Sequence, residues 1–140
     1  MYRWLPTVPA APAGLSEVPG RMAIVVTIEE VRALVRELPR AYEALVRDRV
    51  KFRVGRIVFL AFSRDETIMG FAFPKEERDA LVASEPAKFL PPEPVDLRYN
   101  WVRVRLGELG AAEMAELVTD AWRMCVPKTV GAQYLARLGH

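Results

Sequence analysis

Histidine and cysteine are almost missing from this chain, and their scarcity excludes a good deal of chemistry. Of 140 residues, one is cysteine and one is histidine. Cys125 has no second thiol to pair with, so an intramolecular disulfide is ruled out and a reducing cytoplasm is the expected compartment. Between Met124 and Val126 it reads as a small apolar residue. His140 is the last residue and is expected to fray, which removes Ser-His triads, Cys-His pairs and histidine metal sites from consideration. No apolar run approaches the ~18 residues of a membrane span. Pro6, Pro9 and Pro12 interrupt what would be the apolar core of a signal peptide. Excess charge is lacking too: 20 basic residues stand against 18 acidic ones, and a net +2 does not by itself argue for nucleic acid.

What is present describes an ordinary globular domain. Apolar residues make up 51% and charged residues 27%, and a chain of this size buries roughly two-thirds of its unfolded surface in one core. Residues 1–22 carry Pro6, Pro9, Pro12 and Pro19 without helical or strand period, so they are expected to form a tail outside a single domain at 23–140. Met22 stands as an alternative start.

Charge distribution says more than charge total. From Arg47 to Phe62 the chain reads RDRVKFRVGRIVFLAF, with Arg47, Arg49, Lys51 and Arg53 alternating with Val50, Phe52 and Val54. Period two predicts a strand with cations on one face and apolar residues on the other. Gly55 suits a reversal into a second, more buried strand at Ile57–Phe62. No Asp or Glu falls between Arg49 and Arg64. Tyr99–Leu106 repeats the pattern, with Trp101, Arg103 and Arg105 on one parity and Val102, Val104 and Leu106 on the other.

The remaining elements frame these strands. Thr27 and Glu30 form a capping box before a helix whose stripe is Ile28, Val31, Leu34, Val35 and Leu38, and Pro39 ends it. The segment from Arg40 to Val46 fits either a further helical turn or a connector. Thr67–Phe73 is expected to be a strand, with Ile68, Gly70 and Ala72 on one face and Met69, Phe71 and Phe73 on the other. Pro74 opens a helix to about Ser84, and Pro86, Pro91, Pro92 and Pro94 make a stiff irregular connection. A long helix carries Met114, Leu117, Val118, Ala121 and Cys125, and Pro127 kinks it or starts another. Hairpin links too short for parallel crossovers predict an α+β fold, an antiparallel sheet with helices packed on one face.

Three segments in this order and spacing, Phe52-Arg53-Val54-Gly55-Arg56-Ile57-Val58-Phe59, Trp101-Val102-Arg103-Val104, and Ala121-Trp122 with Val126-Pro127-Lys128, resemble the MmcQ/YjbR family. The resemblance covers most of residues 27–136. It implies a CyaY-like α+β fold with protruding hairpins in a double-wing arrangement, for which DNA binding has been proposed. The chain departs from the family pattern at Ala44-Leu45-Val46-Arg47-Asp48, where a Gly-rich segment with a Trp is common, and at Asn100, where glycine is common. Asn100 is expected to preserve a turn there by accepting left-handed backbone.

The candidate nucleic-acid-binding residues are thus Arg47, Arg49, Lys51 and Arg53, Arg56 at the hairpin tip, and Trp101, Arg103 and Arg105. Cations at strand spacing can follow a phosphate backbone, and an aromatic among them can stack on a base. The expectation joins both strands into one continuous basic surface. Trp122, beside the apolar stripe of its helix, reads as packing. The carboxylates show no spacing suited to acid–base work or metal, and no phosphate-cradling glycine loop occurs. No catalytic residue, cofactor or metal is therefore expected. Two functions remain open: a cytoplasmic DNA-binding protein, or a non-enzymatic interaction or ligand-sensing domain that meets an acidic partner. No membrane association is expected under either.

Overall fold

The computed structural model describes residues 26–139; the expected tail at 1–22 and the terminal His140 lie outside them. The chain begins with helix α1 (Ile28–Val35), then strands β1 (Ala41–Val46), β2 (Arg49–Val54), β3 (Ile57–Phe62) and β4 (Ile68–Ala72). Helix α2 (Lys75–Ser84), the two-residue strand β5 (Phe89–Leu90) and strand β6 (Trp101–Arg105) follow. Helices α3 (Ala111–Arg123) and α4 (Lys128–Gly139) close the fold. The sheet runs β1-β2-β3-β4-β6-β5, antiparallel throughout, in the expected α+β class.

Local chemistry explains most of these boundaries. The Thr27 capping box forms, with the Glu30 carboxylate accepting the Thr27 N–H at 3.0 Å. β2 and β3 are joined by Gly55–Arg56, and only Gly55 has positive φ (61°), the pattern of a II′ hairpin turn. At the β3–β4 turn, Asp65 Oδ1 accepts from the Ser63 hydroxyl, the Thr67 hydroxyl and the Thr67 N–H. Those bonds, the Ser63 one foremost, hold its carboxyl below the usual range.

Several expectations are corrected. Arg40–Val46 is neither helix nor connector, because Ala41–Val46 forms the edge strand β1, paired with β2 from Ala41↔Val54 to Val46↔Arg49. Arg47 therefore leaves the strand it was expected to begin. It and Asp48 make a two-residue turn with φ of 53° and 67°, values that Asn-Gly would adopt more readily. The proline-rich connection does contain regular structure, namely β5 and a short 3₁₀ turn at Pro94–Asp96. Of the two readings of Pro127 the second holds, since it precedes a separate helix, α4. Asn100 has no positive φ; instead its side-chain oxygen accepts the Lys75 N–H at 3.0 Å, at the start of α2.

One sheet face carries the core. Phe52, Phe59, Phe62, Phe71 and Phe89 are fully covered, and Trp122 of α3 is buried in the same core. Each such side chain contributes about 1.5–3 kcal/mol by leaving water. Phe52 and Phe62 meet edge to face at 6.0 Å. A bulge lets β3 supply two core residues side by side: Phe52 pairs with Leu60 and Arg53 with Val58, so Phe59 is extra, and Phe59 and Leu60 are both buried. Trp122, read as packing, also donates its indole N–H to the Pro39 carbonyl at 2.8 Å, fixing the bend between α1 and β1. Its ring meets Tyr134 of α4 at 5.1 Å.

Candidate functional site

The opposite sheet face has no helix over its middle, and there the alternating residues come together. Across it, in register, run Lys51, Ala61, Gly70 and Arg103, one from each of β2, β3, β4 and β6. The two cations are three strand spacings apart, about 14 Å. Between them Ala61, Gly70 and Ala72 are too small to rise above the backbone, so the face is hollowed into a trough of ≈ 800 Å³. Arg49, Lys51 and Arg56 form one wall, and Trp101, Tyr99 and Asp96 belong to the other.

The expected continuous basic surface is thereby corrected. β2 and β6 are separated by β3 and β4, and the β6 cations are already engaged. Arg103 donates to the Glu93 carboxylate at 3.0 Å and to the Pro91 carbonyl at 2.9 Å. Arg105 donates to the Ala87 carbonyl at 3.2 Å and is not among the residues that line the trough. These guanidinium groups pin the proline-rich connection to β6. On the other wall no such pairing occurs: among the described residues Arg47, Arg49, Lys51, Arg53 and Arg56 make no ion pair with an acid. The Nε of Arg53 is buried without any acceptor. Tyr42 sits opposite Arg53 and ties β1 to the next hairpin by donating to the Gly55 carbonyl at 2.6 Å.

Trp101 leans diagonally along the sheet onto Gly70. A Cβ built on Gly70 would lie 2.7 Å from the indole Cζ2 and Nε1, so only glycine leaves room for the ring. The wall around it is held from behind by α2. Arg78 donates to the carbonyls of Leu97 (2.8 Å), Tyr99 (3.0 Å) and Trp101 (3.0 Å), and Lys75 Nζ donates to that of Arg98 (3.1 Å). Arg98 in turn stacks on Tyr99, 4.9 Å from the ring centre. Sequence reasoning missed Arg78, Tyr99 and Asp96 as parts of this wall. The small floor was detectable, since Gly70 and Ala72 share the outward parity of β4.

Among the described residues, no three of His, Cys, Asp and Glu converge to hold a metal ion, and no helix is long and apolar enough to cross a membrane. Cys125 lies at one end of the trough, where partial burial raises its thiol above the usual range and disfavours the reactive thiolate.

An antiparallel sheet, helices on one face and a walled open trough on the other define an α+β domain built to present a concave surface. Comparison with known proteins makes the assignment specific. The YjbR family model matches residues 22–124, and the chain belongs to that family. Its likeness to Deinococcus radiodurans protein DR2400, a DUF419 domain of known structure, has a TM-score of 0.64 at 20% identity, covering 82% of this chain and 89% of that one, and shows the shared fold. Uncharacterized protein Rv2570 of Mycobacterium tuberculosis and uncharacterized protein Mb2600 of Mycobacterium bovis are each 38% identical over 60 residues, 43% of this chain. The chain spans about half the length (46%) of these curated relatives.

Proposed function

We propose that this protein is a non-enzymatic nucleic-acid-binding domain of the cytoplasm that grips phosphates with the cations of its β1–β2 and β2–β3 hairpins. The carrying observation is the uneven pairing of its charges. Arg32, Lys88 and Arg103 are spent on carboxylates, whereas Arg47, Arg49, Lys51, Arg53 and Arg56, on two adjoining hairpins, make no ion pair with an acid among the described residues. Apart from Arg53, whose Nε is buried, these cations face solvent, and binding them to phosphates displaces counterions from the nucleic acid at little desolvation cost, the main source of sequence-independent affinity. β1 has no buried residue and Leu45 is 71% exposed, so beyond Glu43, which Arg32 of α1 holds, the β1–β2 hairpin end is open to solvent.

Cations at alternate positions of β2 stand about 6.7 Å apart along the strand. They can follow successive phosphates, but with Arg103 and Arg105 engaged they offer no base readout of their own. Affinity is therefore expected to depend steeply on salt and weakly on sequence.

Titration of labelled duplex at several ionic strengths tests this. Five phosphate contacts predict a log–log slope of about −4.5. Replacing Arg49 and Lys51 together by Ala should reduce the slope by about 2, and replacing Arg123 and Arg137, on α3 and α4, should leave it alone. A flat salt response, or equal losses from both pairs, would overturn the proposal. A protein copurifying in stoichiometric amount without nucleic acid would instead favour an acidic protein partner.

A further inference from the structure

We infer that the trough seats a single unpaired nucleotide, with its base on Trp101 and its phosphates on the Arg49, Lys51 and Arg56 wall. This rests on the phosphate-binding reading above and names the form of nucleic acid that the site takes.

The width argues first. About 14 Å between the strand axes of β2 and β6, less the side chains standing on them, is narrower than a duplex but admits one extended strand. The trough runs along β3 and β4; over Gly70 its floor is the Trp101 indole itself, and beside the ring Ala61 leaves the sheet open to a planar group. At that depth lies the Trp101 indole, half-buried and braced on Gly70. A base inside a helix cannot reach it; an unpaired one can stack there.

Chemical asymmetry argues second. One wall carries cations without acidic partners among the described residues, while on the aromatic wall Arg103 is neutralised by Glu93 and stands with Asp96 and the Asn100 amide, which suits a molecule with phosphates at one end and a polar heterocycle at the other. Asp96 lines the trough, and its carboxylate makes no side-chain hydrogen bond or ion pair among the described residues. Glu93 uses one oxygen on Arg103. Asn100 has its oxygen taken by the Lys75 N–H, which leaves its NH₂ as a donor. Acceptors beside a donor complement the amino-bearing edges of cytosine, adenine or guanine, whereas thymine offers carbonyl oxygens on both sides of its one N–H.

Full-length protein is titrated at low salt with labelled oligo(dC) and oligo(dT) of about 12 nucleotides, with a duplex of equal length, and with CMP. Oligo(dC) is expected to bind about tenfold or more tighter than the duplex and several-fold tighter than oligo(dT). Trp101→Ala should weaken oligo(dC) by about five- to a hundredfold while leaving duplex affinity unchanged, and Trp101→Phe should retain most of the binding. Asp96→Asn, an independent variant away from the stacking ring, should erase the preference for dC over dT. CMP binding as tightly as oligo(dC) would identify a free nucleotide as the occupant, and much weaker binding a strand; both place the base in the trough. Equal affinity for duplex and single strand, indifferent to Trp101 but with the salt slope intact, would refute the seat and leave the hairpin reading standing. Absence of binding to every probe refutes both, and polyglutamate displacing oligo(dC) at equal charge assigns the trough to acidic peptide and overturns the inference.

Discussion

Adding one methyl group to Gly70 is the sharpest way to probe the trough floor. The alanine Cβ would fall 2.7 Å from Trp101 Cζ2 and Nε1 and 2.8 Å from Cε2. Carbon atoms settle at about 3.5–4.0 Å, so the ring must withdraw by roughly 0.8 Å or more. Overpacking of this kind costs about 1–3 kcal/mol. The indole is only half-buried and can tilt outward, which places the cost near the lower end, and removing glycine from a strand interior returns about 0.5–1 kcal/mol. Gly70→Ala is therefore expected to destabilise by about 0.5 kcal/mol or less, which lowers Tm by at most about 2 °C for a domain of this size.

A double-mutant cycle separates the two contributions. With Trp101→Ala already in place the new methyl meets no ring, so Gly70→Ala should become stabilising by about 0.5–1 kcal/mol. Thermal unfolding followed by circular dichroism reads all four corners. In a Trp4→Phe background, Trp101 emission should also shift to the red in Gly70→Ala, while the buried Trp122 stays constant. Loss of the same stability with and without Trp101 would refute the packing that sets the depth of the trough.

Three further outcomes follow from particular contacts. Asp48→Gly should raise stability by about 1 kcal/mol, because a non-glycine residue at φ 67° is strained, and should strengthen oligonucleotide binding by removing a carboxylate from between Arg47 and Arg49; denaturant titration and anisotropy check the two effects. Trp122→Phe should cost about 2–4 kcal/mol in a urea melt, since it leaves the Pro39 carbonyl without its donor and opens space beside Tyr134. Cys125 should react slowly with iodoacetamide in the native protein near neutral pH and rapidly in denaturant. Its folded thiol loses the proton later than the unfolded one, so the associated stability is full below the ordinary thiol range and declines as pH rises through it.

Composition and periodicity by themselves determined a good deal here. The scarcity of cysteine and histidine, the capping box at Thr27, the alternation of β2 and β6 and the glycine turn at Gly55 are all local, set by side-chain direction and backbone preference within a few residues. Such signals led to the sheet with helices on one face, and to Trp101 and the β2 cations as residues of interest. They misplaced Arg47 and overlooked β1, because Ala41–Val46 lacks clean alternation and becomes a strand only by pairing along β2.

Which strands stand beside one another is a long-range matter. Only the tertiary structure inserted β3 and β4 between the two basic strands, set Glu93 against Arg103, and let Arg78 hold the wall that carries Trp101. Parity along a strand tells which face a side chain takes; the hydrogen-bonded order of the sheet decides its neighbours there. A face expected to be one continuous basic surface is for that reason a trough, cationic on one side and aromatic and acidic on the other.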